Sequence, residues 1–203
     1  ATYTESGDEA QTLTLILKDP VTGVCAELLY TIFRQGGILT RSVRLCNQGN
    51  APVQLERAMS LSLDLPDRDY QWLQLSGCWA RECHIRKRNL EPGTVSIGSM
   101  RGNSSHEHNP FLVLKRENTD EYQGEAIGFS LIYSGNFRIQ AEVDAHETLR
   151  VLAGIDPETF SWKLDCGESF QTPEAVMVYT DQGLNHMSQT FHKLYQKRLA
   201  RGC

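Results

Sequence analysis

Hydrophobic and polar residues alternate with a period of two along most of the chain, between Leu13 and Tyr179. Successive side chains of a β-strand point to opposite faces, so this period predicts strands with one apolar face. The clearest apolar stripes are Val53, Leu55, Met59, Leu61, Leu63 and Leu65; Ile127, Phe129, Leu131 and Tyr133; and Phe137, Ile139, Ala141 and Val143. Repeated half-buried strands are typical of antiparallel sheets packed face to face. The predicted fold class is therefore an all-β, antiparallel two-sheet sandwich.

Turn-forming residues separate the stripes. Ser134-Gly135-Asn136 lies between the second and third stripes and predicts a hairpin that joins them. A further short alternation, Phe160, Trp162 and Leu164, ends at Asp165-Cys166-Gly167, which predicts another turn.

The period changes near the C-terminus and predicts one α-helix from Gly183 to Arg201. Its apolar positions recur at helical spacing: Leu184, Met187, Phe191, Leu194 and Tyr195. Asp181 is the predicted N-cap and Gly202 the predicted stop signal. Basic residues crowd the final turns, where they complement the helix dipole: Lys193, Lys197, Arg198 and Arg201. We divide the chain into a β-domain, residues 1–180, and a helical segment, residues 181–203.

Composition narrows the class of protein. The 203 residues are 40% hydrophobic and 22% charged, as in ordinary globular domains. No apolar run reaches the length of a membrane span, so no membrane partner is expected. The formal net charge of −5 argues against a nucleic-acid partner, because nucleic-acid-binding surfaces are basic.

Six cysteines are present, and a chain of this length builds a core without disulfides. They are Cys25, Cys46, Cys78, Cys83, Cys166 and Cys203. Most lie in strand-like runs, where a free thiol behaves as a small hydrophobe. We interpret them as reduced, which favours a cytoplasmic protein. The chain begins at Ala1 without an initiator methionine, so we expect it to be part of a longer polypeptide.

Candidate catalytic groups are incomplete in this sequence. His106 and His108 could ligate zinc together, but the ligand count is too low, and neither a metal nor another cofactor is predicted. Ser104 and Ser105 precede His106, yet turn-bracing explains them better than nucleophilic catalysis. Several carboxylates lie near apolar stretches, and we expect most to be solvated or paired with arginines: Asp64, Asp67, Asp69, Glu82, Asp144, Glu168 and Glu174.

Aromatic residues near polar turns are the stronger candidates for binding. Tyr70, Trp72 and Trp79 surround a Leu75–Cys78 segment. An indole at a loop can stack on the C–H face of a sugar ring while neighbouring polar groups bind its hydroxyls. Tryptophan is also a common core residue, and residue type alone favours that interpretation for Trp72 and Trp79.

Five ordered motifs resemble those of family 36 α-galactosidases. They are Gly77-Cys78-Trp79-Ala80-Arg81-Glu82, residues 99–106 (SMRGNSSH) with Asn109-Pro110-Phe111, residues 128–137 (GFSLIYSGNF), residues 167–174 (GESFQTPE) and residues 183–188 (GLNHMS). The resemblance runs from near the start of the chain to its last residues. The segment 128–137 is similar to a hairpin of that family.

The resemblance implies a fold and a context. Family members carry an N-terminal β-supersandwich, similar to galactose mutarotase, before a catalytic (β/α)₈ barrel. They release terminal α-linked galactose, with retention, from oligosaccharides such as raffinose and melibiose, using two aspartates of the barrel. Those aspartates match no residue here, so we expect no catalytic residue in this chain, a sandwich that lacks its N-terminal part, and a helix that leads toward the barrel.

One site residue follows from the resemblance. The tryptophan of the family's G-x-W-x-R-E motif reaches the galactose site, and it corresponds to Trp79, our predicted substrate-binding residue. Some family members complete a neighbour's active site with their sandwich, so we expect a homo-oligomer. An α-N-acetylgalactosaminidase, a raffinose-synthase-like enzyme and a non-catalytic carbohydrate-binding or assembly module remain alternatives.

Overall fold

The computed structural model describes residue 4 and residues 6–200, which form fifteen strands and one helix. The strands are β1 (Ala10–Lys18), β2 (Val24–Phe33), β3 (Ile38–Asn47), β4 (Val53–Leu55), β5 (Met59–Leu65), β6 (Gln71–Cys78), β7 (Arg81–Asn89), β8 (Gly93–Ser99), β9 (His108–Lys115), β10 (Ala126–Ile132), β11 (Phe137–Val143), β12 (Leu149–Ile155), β13 (Trp162–Leu164), β14 (Ser169–Gln171) and β15 (Glu174–Thr180). The helix is α1 (Gly183–Arg198).

The strands form two facing sheets of unequal size. The large sheet has nine strands in the order β1-β2-β3-β15-β10-β9-β6-β7, with β14 pairing to β3. The small sheet has four strands in the order β5-β12-β11-β8, and β13 pairs with β4 in a separate ribbon. Every strand pairing within these sheets is antiparallel, which confirms the predicted all-β sandwich.

The core between the two sheets comes from the predicted apolar stripes. Phe129 and Leu131 of the large sheet are buried against Phe137 and Ile139 of the small one. The stripes of β10 and β11 are therefore confirmed, except that Tyr133 lies beyond the end of β10 and is exposed. Burial of these aromatic and aliphatic side chains is the main favourable term that holds the sheets together.

A second core lies on the opposite face of the large sheet, beneath α1. Met187, Phe191 and Leu194 of the helix pack against valines of β9 and β15. At Gly128 a Cβ would lie 2.5 Å from Cε2 of Phe191, so only glycine lets the helix approach β10 this closely. In the described part of the chain, no helix is long and apolar enough to cross a membrane.

The helix N-terminus differs from the prediction. The N-cap is Gln182 rather than Asp181, and no side chain caps it. The loop before β10 instead returns to the helix, and its carbonyl oxygens accept the first helical N–H groups. These bonds join Gly183 to Gly124 at 3.0 Å, Leu184 to Asp120 at 2.9 Å and Asn185 to Glu121 at 3.0 Å. The prediction was wrong because this tertiary cap involves residues about sixty positions earlier.

The predicted basic end of the helix is confirmed for Lys197 and Arg198, which lie in the last turn. The helix ends at Arg198, three residues before the predicted end. Arg201, Gly202 and Cys203 lie outside the described residues.

Two predictions of strand connectivity were wrong. Ser134-Gly135-Asn136 does not close a hairpin, because β10 belongs to the large sheet and β11 to the small one. The turn therefore carries the chain across the core. The stripe from Val53 to Leu65 is two strands, since β4 pairs with β13 while β5 pairs with β12. The break falls at buried Ala58, whose carbonyl oxygen accepts the N–H of Ile155.

The predicted turn at residues 165–167 is confirmed, with Glu168 N–H bonded to Asp165 O.

The small sheet does not cover the whole large sheet. In the register, Leu15 of β1 is opposite Leu28 of β2, and Leu28 is opposite Val43 of β3, on the face that continues the inter-sheet core. Beyond β5, the edge of the small sheet, this face is open to solvent. Its exposed apolar side chains, which we call the open face, are Leu13, Leu15, Leu17 and Ile32.

Candidate carbohydrate contact at a strand hairpin

Trp79 lies at the tip of the hairpin that joins β6 to β7, and 85% of it is exposed. The structure separates it from the other two aromatic candidates. Trp72 is fully buried in the inter-sheet core, and Tyr70 is buried with its hydroxyl 2.7 Å from Oε1 of Glu125. The core interpretation thus holds for Trp72, whereas Trp79 projects from the molecule.

The backbone at the tip adopts conformations that ordinary residues rarely take. Ala80 has φ of 62° and Cys83 has φ of 57°, both in the left-handed region. Left-handed geometry costs a non-glycine residue about 1–2 kcal/mol. Strain of this kind persists only where surrounding contacts hold it, and it is enriched at functional sites.

Glu82 is one of those contacts. Its Oε1 accepts the N–H of Ala80 at 2.8 Å, which fixes the residue next to Trp79. We expected Glu82 to form an ion pair with a neighbouring arginine. The side chain instead folds back onto its own turn, where it accepts the Ala80 N–H.

Gly77 allows the two strands to converge below the tip. A Cβ there would lie only 2.1 Å from the carbonyl oxygen of Arg81. The register shifts at this point, as expected for a β-bulge, and Gly77 donates its N–H to Glu107 O at 3.2 Å. The bulge thereby attaches the hairpin to the segment before β9.

A row of polar side chains connects the hairpin base to the core. Trp72 Nε1 donates to Gln74 Oε1 at 2.7 Å, and Gln74 Nε2 donates to Ser76 Oγ at 2.7 Å. Ser76 Oγ lies 3.0 Å from Nδ1 of His108 on β9. We did not predict this row, although residues 72, 74 and 76 share one strand face at period two. A buried network in which every member is paired favours a single local geometry.

This row of hydrogen bonds includes His108, one of the two histidines that we considered as zinc ligands. Nδ1 of His108 is bonded to Ser76, and His106 is exposed. Among residue 4 and residues 6–200, no three histidine, cysteine or acidic side chains are grouped so that they could hold a metal ion.

Three of the motifs that carry the family resemblance meet beside the hairpin. Arg101 forms an ion pair with Glu107 at 2.7 Å, on the segment that binds Gly77. Gly102 donates its N–H to Asn136 Oδ1 at 2.6 Å, and Ser104 donates to Ser134 O at 2.7 Å. The turn at residues 134–136 therefore holds the loop before β9 in place, and that loop in turn binds the hairpin.

The serines of this loop brace a turn, as predicted. Ser105 Oγ accepts the N–H of Glu107 at 3.2 Å. Ser104 takes part through its backbone N–H. Neither contact is the serine–histidine bond that activates a nucleophile.

Among the carboxylates that we expected to pair with arginines, Asp64 and Asp67 do so. Asp64 binds Arg150 through two hydrogen bonds of 2.7 and 3.0 Å, and Asp67 binds Arg116. Each arginine holds the pKa of its partner carboxyl below the usual value. Burial and the neighbouring Glu125 raise the pKa of Tyr70 above its ordinary range. None of these groups lies on the hairpin.

A projecting indole on a braced tip can bind and exclude water, but it cannot transfer a proton. Residues 1–165 match the sequence model of the glycosyl hydrolase family 36 N-terminal domain, and residues 169–203 match that of melibiase. The chain belongs to the glycosyl hydrolase family 36 N-terminal domain family, so the resemblance stated above is confirmed. The division at residue 180 stays a prediction.

The relatives it resembles are α-galactosidases. Alpha-galactosidase AgaA of Geobacillus stearothermophilus is 52% identical over 202 residues, and Mel36A of Lactobacillus acidophilus is 44% identical over 199 residues. These alignments cover 100% and 98% of this chain, but only 28% and 27% of the relatives. The crystal structure of AgaA A355E D478A in complex with stachyose superposes with a TM-score of 0.98 at 52% identity, covering 100% of this chain and 28% of that one.

Proposed function

We propose that this chain is the accessory β-sandwich portion of a retaining α-galactosidase. The complete enzyme would hydrolyse terminal α-galactosyl residues from oligosaccharides such as raffinose and melibiose. A catalytic barrel in the same polypeptide would supply both catalytic aspartates, and this chain would support substrate binding and assembly. Family membership supports the proposal, as do relatives whose structures hold stachyose and raffinose.

Trp79 is the residue that we propose contacts the sugar, and its exposure carries this proposal. The indole is 85% exposed, and the tip that presents it also contains two left-handed residues, a kind of backbone strain that is enriched at functional sites. Both features are explained if the indole becomes covered when galactose binds. Aromatic stacking contributes about 0.5–1.5 kcal/mol beyond the area it buries.

The test is Trp79→Ala in the complete enzyme, with steady-state kinetics on raffinose. We expect kcat/KM to fall by about 2- to 12-fold, the equivalent of the stacking energy above. The melting temperature should not change, because the side chain makes little contact within the domain. Trp79→Phe should restore part of the loss.

Trp162→Ala is the matched control, because Trp162 is also partly exposed but lies on β13, away from the hairpin. Its kinetics should remain at the wild-type value. Unchanged kinetics for Trp79→Ala would refute the proposed sugar contact while leaving the family assignment intact.

We also propose that the enzyme is a homo-oligomer in which Trp79 reaches a neighbouring subunit's substrate. The whole of β7 is exposed at the edge of the large sheet, so this side of the hairpin is accessible to a neighbouring subunit. Subunits with Trp79→Ala would be mixed, after dissociation, with subunits that lack the barrel nucleophile. Activity should recover in the mixed oligomer, because an active site there can combine the nucleophile of one subunit with Trp79 of the other. No recovery in a mixed oligomer of confirmed composition would mean that Trp79 serves its own barrel.

The open face supports our proposal that this sandwich is incomplete. The small sheet ends at β5, yet the apolar face of the large sheet continues across β2 and β1. We propose that further strands of the same polypeptide extend the small sheet from β5 and cover this face. In the complete enzyme, Leu15→Glu should then lower the melting temperature by several degrees. Val21→Glu, at an exposed turn position, is the control, and equal tolerance of both changes would refute the covering strands.

The location of the enzyme is proposed to be cytoplasmic. The described cysteines support this, since Cys25, Cys46, Cys78, Cys83 and Cys166 are free thiols. Fractionation of cells that produce the complete enzyme would test it, and activity confined to the medium or periplasm would contradict it.

A non-catalytic carbohydrate-binding or assembly module is the second candidate function. The absence of a complete set of catalytic groups in the described residues is compatible with it, as it is with the accessory role. Sequencing the gene on both sides of this segment separates the two. A following barrel with two facing carboxylates supports the enzyme, and no such barrel would leave only the binding module. The barrel residues would also separate an α-galactosidase from an α-N-acetylgalactosaminidase or a raffinose-synthase-like enzyme.

A further inference from the structure

Two cysteines face each other across neighbouring strands of the large sheet. Cys25 of β2 and Cys46 of β3 are direct partners in antiparallel register, so both side chains leave the same face. Two positions along the ladder, Gln48 donates its N–H to Gly23 O at 3.1 Å. Hydrogen-bonded pairs alternate in an antiparallel ladder, so the cysteines also form a hydrogen-bonded pair.

The spacing of such a pair permits a disulfide but strains it. Cα atoms of a hydrogen-bonded pair are about 5.5 Å apart, within the 4.4–6.8 Å range of disulfides. Their Cβ atoms are about 4.5–5.5 Å apart, whereas a relaxed disulfide has about 3.8 Å. The strands must therefore approach by roughly 1 Å, and a strained disulfide is more readily reduced.

The two thiols differ in access to solvent. Cys25 is 2% exposed, while Cys46 is partly exposed and lines an open cavity with Glu27, Arg44 and Ser169. A small oxidant therefore reaches Cys46 first, and Cys25 lies directly across the ladder as the second thiol. Burial and the carboxylate of Glu27 raise the pKa of Cys46, so its reactive thiolate becomes more abundant as the pH rises.

We propose that Cys25 and Cys46 form a reversible dithiol–disulfide pair whose oxidant is a hydroperoxide. The Cys46 thiolate attacks a peroxide oxygen, breaking the O–O bond and forming a sulfenic acid and hydroxide. The Cys25 sulfur then attacks the Cys46 sulfur, and the sulfenic oxygen leaves as water. Two thiols and one hydrogen peroxide thus give one disulfide and two waters. The bond ties β2 to β3, far from β6 and β7 in the strand order, and leaves the sugar contact unchanged.

The test uses the complete polypeptide that contains this chain. The reduced protein is treated with hydrogen peroxide, alkylated and digested with trypsin without reduction. Cleavage at lysine and arginine places Cys25 in peptide 19–34 and Cys46 in peptide 45–57. We expect these two peptides cross-linked, at a mass two hydrogens below their sum, and separated again by dithiothreitol. The rate should rise about tenfold between pH 7 and pH 8, and Glu27→Gln should increase it at pH 7.

Two variants check the assignment. Cys46→Ser should abolish the cross-link, and Cys166→Ser, at an exposed turn, should retain it. Oxidation of Cys46 to sulfinic acid without a cross-link would overturn the proposal, as would disulfides formed only among Cys78, Cys83 and Cys166. If Cys46→Ser does not fold, the wild-type peptide map and the Glu27→Gln rate still decide.

Discussion

The substitution Gly77→Ala tests how the β6–β7 hairpin holds Trp79. A methyl group at this position would lie 2.1 Å from the carbonyl oxygen of Arg81 and 2.8 Å from Cα of Glu82. Even close carbon–oxygen contacts are about 3.3 Å long. The backbone of one strand must therefore move by roughly 1 Å, at a position two residues before the indole.

A local movement of the hairpin can relieve this clash. Overpacking by a methyl group typically costs about 1–3 kcal/mol in a packed interior. Here β7 is exposed along its whole length, so the hairpin can shift without disturbing the inter-sheet core. We expect a small change in melting temperature and a displaced tip. A displacement near 1 Å can cost up to about 100-fold in rate where a group must be positioned. The kinetic loss should nevertheless not exceed that of Trp79→Ala, which removes the contact entirely.

The assay is a double-mutant cycle in the complete enzyme, with kcat/KM on raffinose for Gly77→Ala, Trp79→Ala and the double variant. The double variant should match Trp79→Ala, because Gly77 acts through the indole. Gly7→Ala is the control, since nothing lies within 4 Å of a Cβ there. Fully additive losses, or normal kinetics for Gly77→Ala alongside a deficient Trp79→Ala, would refute the reasoning.

Two further predictions concern stability. Asn47 is buried, and its side chain hydrogen-bonds to Ala51 O, Leu164 O and the Gly49 N–H. Asn47→Ala should therefore lower the free energy of unfolding by about 2–4 kcal/mol and reduce the melting temperature. Asn50→Ala, at an exposed position, is the control and should leave both unchanged. Equal melting temperatures for the two would contradict this. Arg116 lowers the pKa of Asp67 in the folded protein. The stability that this carboxylate contributes is therefore fully present above the pKa of the unfolded chain, about 3.9, and it is lost as the pH falls through the lower pKa of the folded state. In a plot of melting temperature against pH, Asp67→Asn should therefore reduce the fall in melting temperature below about pH 4. An unchanged fall would show that the ion pair does not contribute to stability.

Sequence periodicity identified the core strands because it reports a local property. Residues 126–132 and 137–143 alternate, and both are buried strands as predicted. Periodicity does not report pairing partners. Ser134-Gly135-Asn136 has the composition of a hairpin turn, yet the strands on either side belong to different sheets. The choice depends on the strands that pair with β10 instead, β9 and β15, and β15 is far away in sequence.

The candidate site shows the same limit. Residue type alone favoured a core position for Trp79, whereas the family resemblance predicted a sugar contact there, and the structure places it at an exposed hairpin tip. The Glu82 contact with Ala80 and the bond between Ser76 and His108 could not be predicted. The first depends on a left-handed backbone, and the second on the pairing of β6 with β9. Both are tertiary facts, because a turn conformation and a strand register are settled only when the sheet assembles.

The strand order of the large sheet has a consequence for synthesis of the protein. β3 pairs with β15, so Thr40 finds its partner Val176 only after more than 130 further residues have been made. At about 5–20 residues per second, the wait on the ribosome is roughly 7 to 27 seconds. During that time the hairpin of β2 and β3 presents an open, apolar strand edge. Pairings of such long sequence separation fold slowly, so this region of the nascent chain is where a chaperone would be needed.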